Sequence, residues 1–450
     1  MSWMKSRLGL LVLVGWAIPG VAAPQVHSRR LDNGLQVVVV ERHALPLVTV
    51  ELAVRAGAQV ESPEYNGLSH VYEHLFSGDE DSRARLRELG VKASAFTSVE
   101  LVDFTFSTTP EHLEGVLTHL RDGFVSPRLH SEALMREQVA VTNEMNQMES
   151  IAGQKLFRQV QRRLWWKYPS YKDQLGTRQA VQGATSEHLR TLHERYFVPN
   201  NSLLVVVGDV RAADVFTQVE RLFRGWARAP EPFELYPRVV HPPLKGREVV
   251  VSHEPVGMVS GGFHWQGPSA AGPGAELAPA ARLLGYLTGD PSSHFQKALV
   301  ESGTCVSASF SWYDQRNVGP LDLDFEATPE RVDDCLRAVL AELMRLREEG
   351  LTDEALRGAV RRMEVDQAHD RERTRLLSRR LVLWWSVADV EAYLASLEEA
   401  RRVRREDLVR LLDTYVLGKP FVLGVMVSPE GAEQRRLDVA HFERLVEVSR

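Results

Sequence analysis

The chain has 450 residues, of which 44% are hydrophobic and 25% are charged, and its formal net charge is -6. This balance excludes an intrinsically disordered chain, a collagen-like fibre and a coiled-coil rod. Lys and Arg total 54 against 60 Asp and Glu, so no basic excess indicates a nucleic-acid partner. Two cysteines are too few for a disulfide scaffold, and at about 150 residues per domain the length predicts two or three domains with buried cores.

Residues 1-22 have the three parts of a secretory signal peptide. Lys5 and Arg7 form a basic start, an apolar run follows from Leu8 to Ile18, and small residues end the segment at Ala22. Cleavage after Ala22 would leave an exported protein, in the periplasm or secreted, with no stable membrane insertion. The alternative is an uncleaved anchor, although the apolar run is shorter than the ~20 residues that a spanning helix needs.

Two parts of the remaining chain, residues 23-228 and 247-450, show a similar order of elements on either side of a proline-rich linker at residues 229-246. This similarity indicates an internal duplication, and two unrelated domains of similar size are the alternative. The segments that carry the comparison are the strands Leu31–Val40, Leu47–Val54 and Ser202–Val207 with the helix Ala212–Phe223, and then the strands Arg247–Ser252 and Phe421–Val427 with a final helical pattern.

The predicted elements favour an α+β fold. Strands outnumber the regular strand–helix alternation that a parallel sheet needs. Helices are long and amphipathic, as in Pro329–Glu349, where apolar residues recur at spacings of three and four. We therefore expect two similar half-domains, each a largely antiparallel sheet covered by helices on one face.

The chemistry is concentrated in the segment Gly67–Phe76, which contains His70, Glu73 and His74 as H-x-x-E-H. On a helix these three side chains share one face. A catalytic zinc takes about three protein ligands and keeps one position for water, so the two histidines are one ligand short. If Glu73 were that ligand, no base would remain beside the water, and a distant acid is therefore expected. The alternative is a chance occurrence of the pattern.

The predicted helix Ser131–Met148 is a candidate source of that acid. It begins with a serine suited to capping and places Glu137 and Glu144 seven residues apart, on one helix face. The alternative for this pair is a solvated helix face, where most glutamates lie.

Together these segments resemble the M16 family of zinc metallopeptidases, the group of pitrilysin, insulin-degrading enzyme and mitochondrial processing peptidase, whose inverted zinc motif is H-x-x-E-H. The resemblance includes the approach G-L-S-H, the pattern R-E-x-x-x-V-x-x-E from Arg136 to Glu144, and Tyr196–Asn201 followed by an apolar strand and Gly208-Asp209. It extends over nearly the whole mature chain, and the size indicates the half-length bacterial branch.

This resemblance implies one zinc ion per chain, held by His70, His74 and Glu144. It also implies that Glu73 is the general base and that Glu137 supports the site. The implied activity is that of a zinc endopeptidase acting on short or unfolded peptides in an enclosed chamber. A non-catalytic subunit or assembly factor that retains the fold is the alternative.

The segment around Ser94, Ala95, Phe96 and Thr97 resembles the edge strand with which the family pairs a substrate backbone. Thr97 is kept, whereas Ser94 stands in place of the usual asparagine. A hydroxyl offers fewer hydrogen bonds than an amide, so one substrate contact is expected to be weaker or rearranged.

The second half departs from the family in the stretch Ala298–Ser309. Some relatives carry an arginine and a tyrosine there that hold the substrate, whereas this chain has Val300 and Cys305 near those places. A second M16-like subunit that supplies the missing groups would complete a heterodimer. A homodimer, or a monomer that manages without them, is the alternative.

Two further features of the second half are left open by the sequence. Cys305, on a predicted strand, and Cys335, on the following helix, could form a disulfide or remain two buried thiols. The charged stretch Arg361–Arg380 is interpreted as a solvated helix face, with a partner surface as the alternative.

Overall fold

The computed structural model describes residues 25–348 and 351–447. The predicted signal peptide lies outside these residues. Within them, no helix combines the length and the apolar character that crossing a membrane requires.

The first half is built on a six-stranded sheet in the order β1-β2-β6-β3-β5-β4. All neighbours are antiparallel except β2 and β6, which run parallel. The valine-rich strands β2 and β6 are buried on both faces, as expected for central strands. The strands are β1 Val26–Arg30, β2 Gln36–Glu41, β3 Val48–Val54, β4 Lys92–Thr97, β5 Val102–Thr108 and β6 Ser202–Gly208.

The second half has a five-stranded sheet that repeats this topology. Its order is β7-β11-β8-β10-β9, and only β7 and β11 run parallel. Removing β1 from the first sheet makes the two orders identical, with β4 and β9 at the corresponding edges. The predicted α+β fold with two similar halves is therefore confirmed. The strands are β7 Glu248–His253, β8 Val259–Gln266, β9 Ser307–Trp312, β10 Pro320–Ala327 and β11 Val422–Val427.

The helices of the two halves occur in a similar order along the chain. Those of the first half are α1 Leu68–Ser77, α2 Glu80–Glu88, α3 Leu113–Val125, α4 Ser131–Ser150, α5 Ala152–Leu164, α6 Arg178–Gln182, α7 Ser186–Tyr196 and α8 Ala212–Phe223. The proline-rich segment between the halves contains the short helix α9 Pro232–Leu235. Those of the second half are α10 Ala278–Thr288, α11 His294–Gln296, α12 Val332–Glu348, α13 Asp353–Glu372, α14 Thr374–Val387, α15 Val390–Arg402, α16 Arg405–Tyr415, α17 Pro429–Arg435 and α18 Val439–Glu447.

The helix pair α4–α5 corresponds residue by residue to the pair α13–α14. Helices α4 and α13 each have 20 residues, and one extended residue, Ile151 or Arg373, separates each from the next helix. Asp353 lies 222 positions after Ser131, and Thr374 lies 222 positions after Ala152. This constant offset allows positions in the two halves to be compared directly.

The two halves exchange helices across their sheets. One face of each sheet packs on helices of its own half. The other face of the first sheet packs on α14, and the corresponding face of the second sheet packs on α5. The expectation that only one face of each sheet is covered is therefore wrong, because each half buries the second face of the other. The apolar side chains that do so are Leu377, Leu381 and Trp385 on α14, and Leu156, Val160 and Leu164 on α5.

The predicted strand Leu31–Val40 is shorter in the structure. Asp32 and Asn33 form a turn with Gly34, which has a φ of 93°, and this turn connects β1 to β2. The polar strand β1 was not predicted, because its sequence VHSRR lacks the apolar alternation of a half-buried strand.

Candidate metal centre

The H-x-x-E-H motif lies on α1, which packs on the first sheet. Leu68, Val71 and Leu75 are buried in the core of the first half. His70 is 8% exposed and lies at the margin of that core. The apolar spacing therefore fixes the rotation of α1 and turns the motif toward α4 and β4.

The N-terminus of α1 is capped by a distant carboxylate. Gly67 precedes the helix with a φ of 106° and has no side chain to cap it. The buried Glu61 instead accepts hydrogen bonds from the backbone N–H of Gly67 at 2.6 Å and of Ser69 at 2.5 Å. Sequence reasoning missed Glu61, although a helix that begins after glycine needs an acceptor from elsewhere in the chain.

The structure brings together His70, His74 and Glu144. The Nε2 atoms of both histidines lie 3.4 Å from Oε2 of Glu144, which α4 carries across from α1. One donor atom from each of the three residues falls within a group no more than 4.8 Å across. Two imidazoles and a carboxylate are a donor set that zinc prefers.

The spacing of these atoms fits a bound metal ion. Tetrahedral ligands at about 2.0–2.1 Å from zinc lie about 3.3 Å apart, close to both observed N–O distances. Burial, reinforced by nearby His74, lowers the pKa of His70 to about 4 and leaves its imidazole neutral. The hydrogen bond from His74 lowers the pKa of Glu144, which favours the charged carboxylate. The neutral imidazole of His70 and the charged carboxylate of Glu144 therefore suit a divalent cation.

Glu137 lies behind His74 on the side away from Glu144. Its Oε2 is 3.4 Å from Nδ1 of His74, where a carboxylate can fix the orientation and tautomer of a ligating imidazole. Gly78, at the end of α1, gives Glu137 room, because a Cβ there would lie 2.3 Å from Oε1 of Glu137.

Glu73 is held beside the three donor residues by the edge strand. Thr97 on β4 donates a hydrogen bond of 2.9 Å from Oγ1 to Oε2 of Glu73. Burial raises the pKa of the Glu73 carboxyl, although the bond from Thr97 opposes this. A carboxyl with a raised pKa is better suited to accept and release a proton near neutral pH.

The other predicted substrate residues lie along β4. Among the strands that the structure describes, β4 pairs with β5 alone and forms the edge of the first sheet. Ala95 faces the same side as Thr97, whereas Ser94 and Phe96 face α14 of the second half. Nη2 of Arg375 donates to Oγ of Ser94 at 2.9 Å, and the Arg379 guanidinium lies 4.3 Å from the centre of the Phe96 ring.

Arg379 also enters a buried polar network between the halves. It pairs with Asp103 on β5, and its Nη1 lies 3.6 Å from Oε1 of Glu51 on β3. Ser378 donates to Oε2 of Glu51 at 2.6 Å. The solvated face expected for Arg361–Arg380 is therefore wrong for Arg375 and Arg379, which contact the first half. No local pattern could reveal these contacts, because the residues meet only through the exchange of helices.

The equivalent place in the second half has lost the metal donors. Gly78 and Gly289 end α1 and α10, so Ala281 and Gly285 correspond to His70 and His74. Asp366 lies 222 positions after Glu144 and accepts a hydrogen bond of 2.9 Å from Oη of Tyr286. A cavity of about 880 Å³ occupies this region, with tryptophans and arginines in its wall.

The stretch that departs from the family contains a disulfide. Cys305, just before β9, is bonded to Cys335 on α12, and both are buried. Val300 packs against the core of the second half. Val300 therefore serves packing and Cys305 serves the disulfide, and the question of thiols or disulfide is answered in favour of the disulfide.

Known proteins match both halves of the chain. Residues 36–178 match the model described as insulinase (peptidase family M16), and residues 183–363 match the peptidase M16 inactive domain. Zinc protease PqqE of Helicobacter pylori is 25% identical over 330 residues, which cover 68% of this chain and 72% of that protein.

A second relative and a solved structure extend the comparison. The probable mitochondrial-processing peptidase subunit beta of Arabidopsis thaliana is 23% identical over 209 residues, or 45% of this chain, and the match spans only 39% of that protein. A crystal structure of a protease from Helicobacter pylori has a TM-score of 0.81 at 18% identity, covering 90% of this chain and 100% of that one. The chain therefore belongs to the M16 family of peptidases, as a half-length member with two similar halves.

Proposed function

We propose that this chain is a zinc-dependent endopeptidase that hydrolyses peptide bonds of short or unfolded peptides. The observation that carries the proposal is the convergence of His70, His74 and Glu144 within 4.8 Å, next to the half-buried carboxyl of Glu73. The names of the relatives, which include zinc proteases, support the same class of reaction.

The residues divide the chemistry between them. Bound zinc would lower the pKa of a coordinated water to about 7 and polarise the scissile carbonyl. Glu73, oriented by Thr97, accepts the proton of the attacking water on its carboxylate and delivers it to the nitrogen of the leaving amine. Glu137 keeps the imidazole of His74 in its ligating orientation.

The substrate adds to the free edge of β4. Extended peptides bind such edges through backbone hydrogen bonds, which recognise conformation before side chains. Ser94, Ala95, Phe96 and Thr97 form this edge, and Thr97 brings it next to Glu73. Unfolded segments meet this requirement, whereas strands already paired in a folded protein do not.

A partner and an extracytoplasmic location belong to the same proposal. The missing arginine and tyrosine near Val300 and Cys305 favour a second M16-like subunit, and the Arabidopsis relative is itself named as a subunit. A homodimer is the other arrangement. Export to the periplasm or beyond is supported by the N-terminal pattern of residues 1-22 and by the disulfide, which oxidising compartments favour.

A non-catalytic role is the second candidate. Its support is the match of residues 183–363 to the M16 inactive domain. That match covers mainly the second half, whereas all three donor residues and Glu73 lie before it. The complete donor set favours the enzyme.

Zinc analysis combined with cleavage of a peptide library tests the function. The purified protein should contain about one zinc per chain and should lose cleavage on chelation. Glu73→Gln should retain the metal and lose about 10²–10⁴-fold in cleavage rate, because it removes only the base. Turnover that survives chelation, or is unchanged in Glu73→Gln, would refute the proposed mechanism.

A further inference from the structure

The edge strand β4 offers two chemically different faces to a peptide. Side chains alternate along a strand, so Ala95 and Thr97 face α1 while Lys92, Ser94 and Phe96 face α14. The contacts agree, since Thr97 bonds to Glu73 and Ser94 bonds to Arg375. A peptide added to this edge must therefore alternate its own side chains between the same two faces.

The face toward α14 carries positive charge without neutralising partners. Lys92 and Arg375 are both exposed, and neither forms an ion pair among the described residues. The acids beneath them, Glu51 and Asp103, are buried and already engaged by Ser378 and Arg379. The cationic side chains are therefore free to bind an acid supplied by a ligand.

The face toward α1 borders a cavity with an apolar wall. A cavity of about 340 Å³ lies between α1, α2 and β4. Its wall contains four large apolar side chains, Phe76, Leu86, Phe104 and Phe106, and the polar side chains of Arg83, Arg87 and His119 also line it. Glu73 also lines this cavity, so the cavity adjoins the candidate metal centre. An apolar side chain directed into this cavity would contact its four large apolar residues, whereas its neighbours on either side would be directed toward α14.

We propose that this edge selects extended peptides with an acidic side chain at a position facing α14, where Arg375 and Lys92 bind its carboxylate. The inference rests on the proposed function and adds a substrate class to it: peptides that alternate acidic and apolar residues. Because the cations are solvent-exposed, the preference for an acid should be modest and should weaken with salt.

Matched peptides test this selectivity on the full-length, zinc-loaded protein. A series of fluorogenic peptides would carry Glu, Gln or Lys at each position near the cleaved bond, with apolar residues elsewhere. At the positions facing α14, kcat/KM should be about 5-fold higher for Glu than for Gln, and lower again for Lys. The Glu-to-Gln ratio should approach 1 in the Arg375→Gln/Lys92→Gln variant, and should fall between about 0.02 M and 0.5 M salt.

Arg357→Gln is the matched control, because Arg357 is an exposed arginine on α13 with no ion pair among the described residues. It should keep the Glu-to-Gln ratio of the parent protein. Equal rates for Glu and Gln peptides, or an acid preference that survives in the Arg375→Gln/Lys92→Gln variant, would overturn the inference.

Binding separates this inference from the proposed function. The affinity of the same peptides for Glu73→Gln, measured by fluorescence anisotropy, does not require cleavage. Acid-selective binding that disappears with Arg375 and Lys92 supports the inference even if no peptide is cut, in which case only the proposed function fails. Cleavage without acid selectivity refutes the inference alone.

Discussion

The two halves share a backbone arrangement and differ in the few side chains that can bind a metal. Helices α1 and α4 of the first half correspond to α10 and α13 of the second, yet His70 and His74 are matched by Ala281 and Gly285. The acid on α4, Glu144, corresponds to Asp366 in the second half, but Asp366 accepts a hydrogen bond from the hydroxyl of Tyr286. The fold therefore repeats the two helices, and among the described residues only the first half has a complete set of side chains that could hold a metal.

The largest expected difference between the halves is in zinc binding after removal of the corresponding acids, Glu144 and Asp366. Glu144→Ala deletes one of three donors, so metal affinity should fall by more than the about 10–100-fold typical of an outer contact, and hydrolysis should disappear with it. Asp366→Ala should retain about one zinc per chain. Zinc analysis after dialysis measures both. Equal loss in the two variants would mean that the halves do not differ as described.

The helix N-termini of the two halves offer a second contrast. Glu61→Ala leaves the backbone N–H groups of Gly67 and Ser69 buried without an acceptor, so the free energy of unfolding should fall by about 2–3 kcal/mol. Glu276, near the start of α10, is exposed, and Glu276→Ala should change stability by less than about 0.5 kcal/mol. Denaturant unfolding compares them. A similar loss of unfolding free energy in both variants would contradict the role of Glu61 in capping α1.

The smallest expected effect concerns the buried network between the halves. Burial and the neighbouring Asp103 raise the pKa of Glu51 to about 8, so the folded state holds a proton that the unfolded state releases above about 4.5. This contribution to stability is complete at low pH and is lost as pH rises through 8. Between pH 7 and 9 the free energy of unfolding of the parent protein should fall by about 1 kcal/mol, and that of Glu51→Gln should fall by less.

Glu234→Gln is the control for this pH dependence, because Glu234 lies exposed on α9. The stability of Glu234→Gln should equal that of the parent protein at every pH. Thermal or denaturant unfolding from pH 6 to 9 gives the three curves, and a slope in Glu51→Gln equal to that of the parent would assign the dependence to another group.

The sequence predicted those features that depend on local pattern. Spacing placed His70, Glu73 and His74 on one helix face, and the structure has them on α1. Periodicity placed Glu144 on α4, and the family resemblance identified it as the partner of the two histidines. Valine-rich runs predicted β2, β3 and β6 to within a few residues.

The remaining features depend on contacts between distant segments. Glu61 caps α1 from a loop, and its own neighbours in sequence give no sign of it. Arg375 and Arg379 reach the first half only because α14 covers its sheet. Apolar residues along one side of a helix predict that this side is packed, but they do not specify which sheet it packs against.

The central claim is that one half holds one metal ion. A crystal structure of the zinc-loaded protein, with anomalous data collected at the zinc edge, tests it most directly. A single peak should lie between Nε2 of His70, Nε2 of His74 and the carboxylate of Glu144, with no peak beside Asp366. A peak in the second half, or a zinc in the first half bound without Glu144, would contradict the claim.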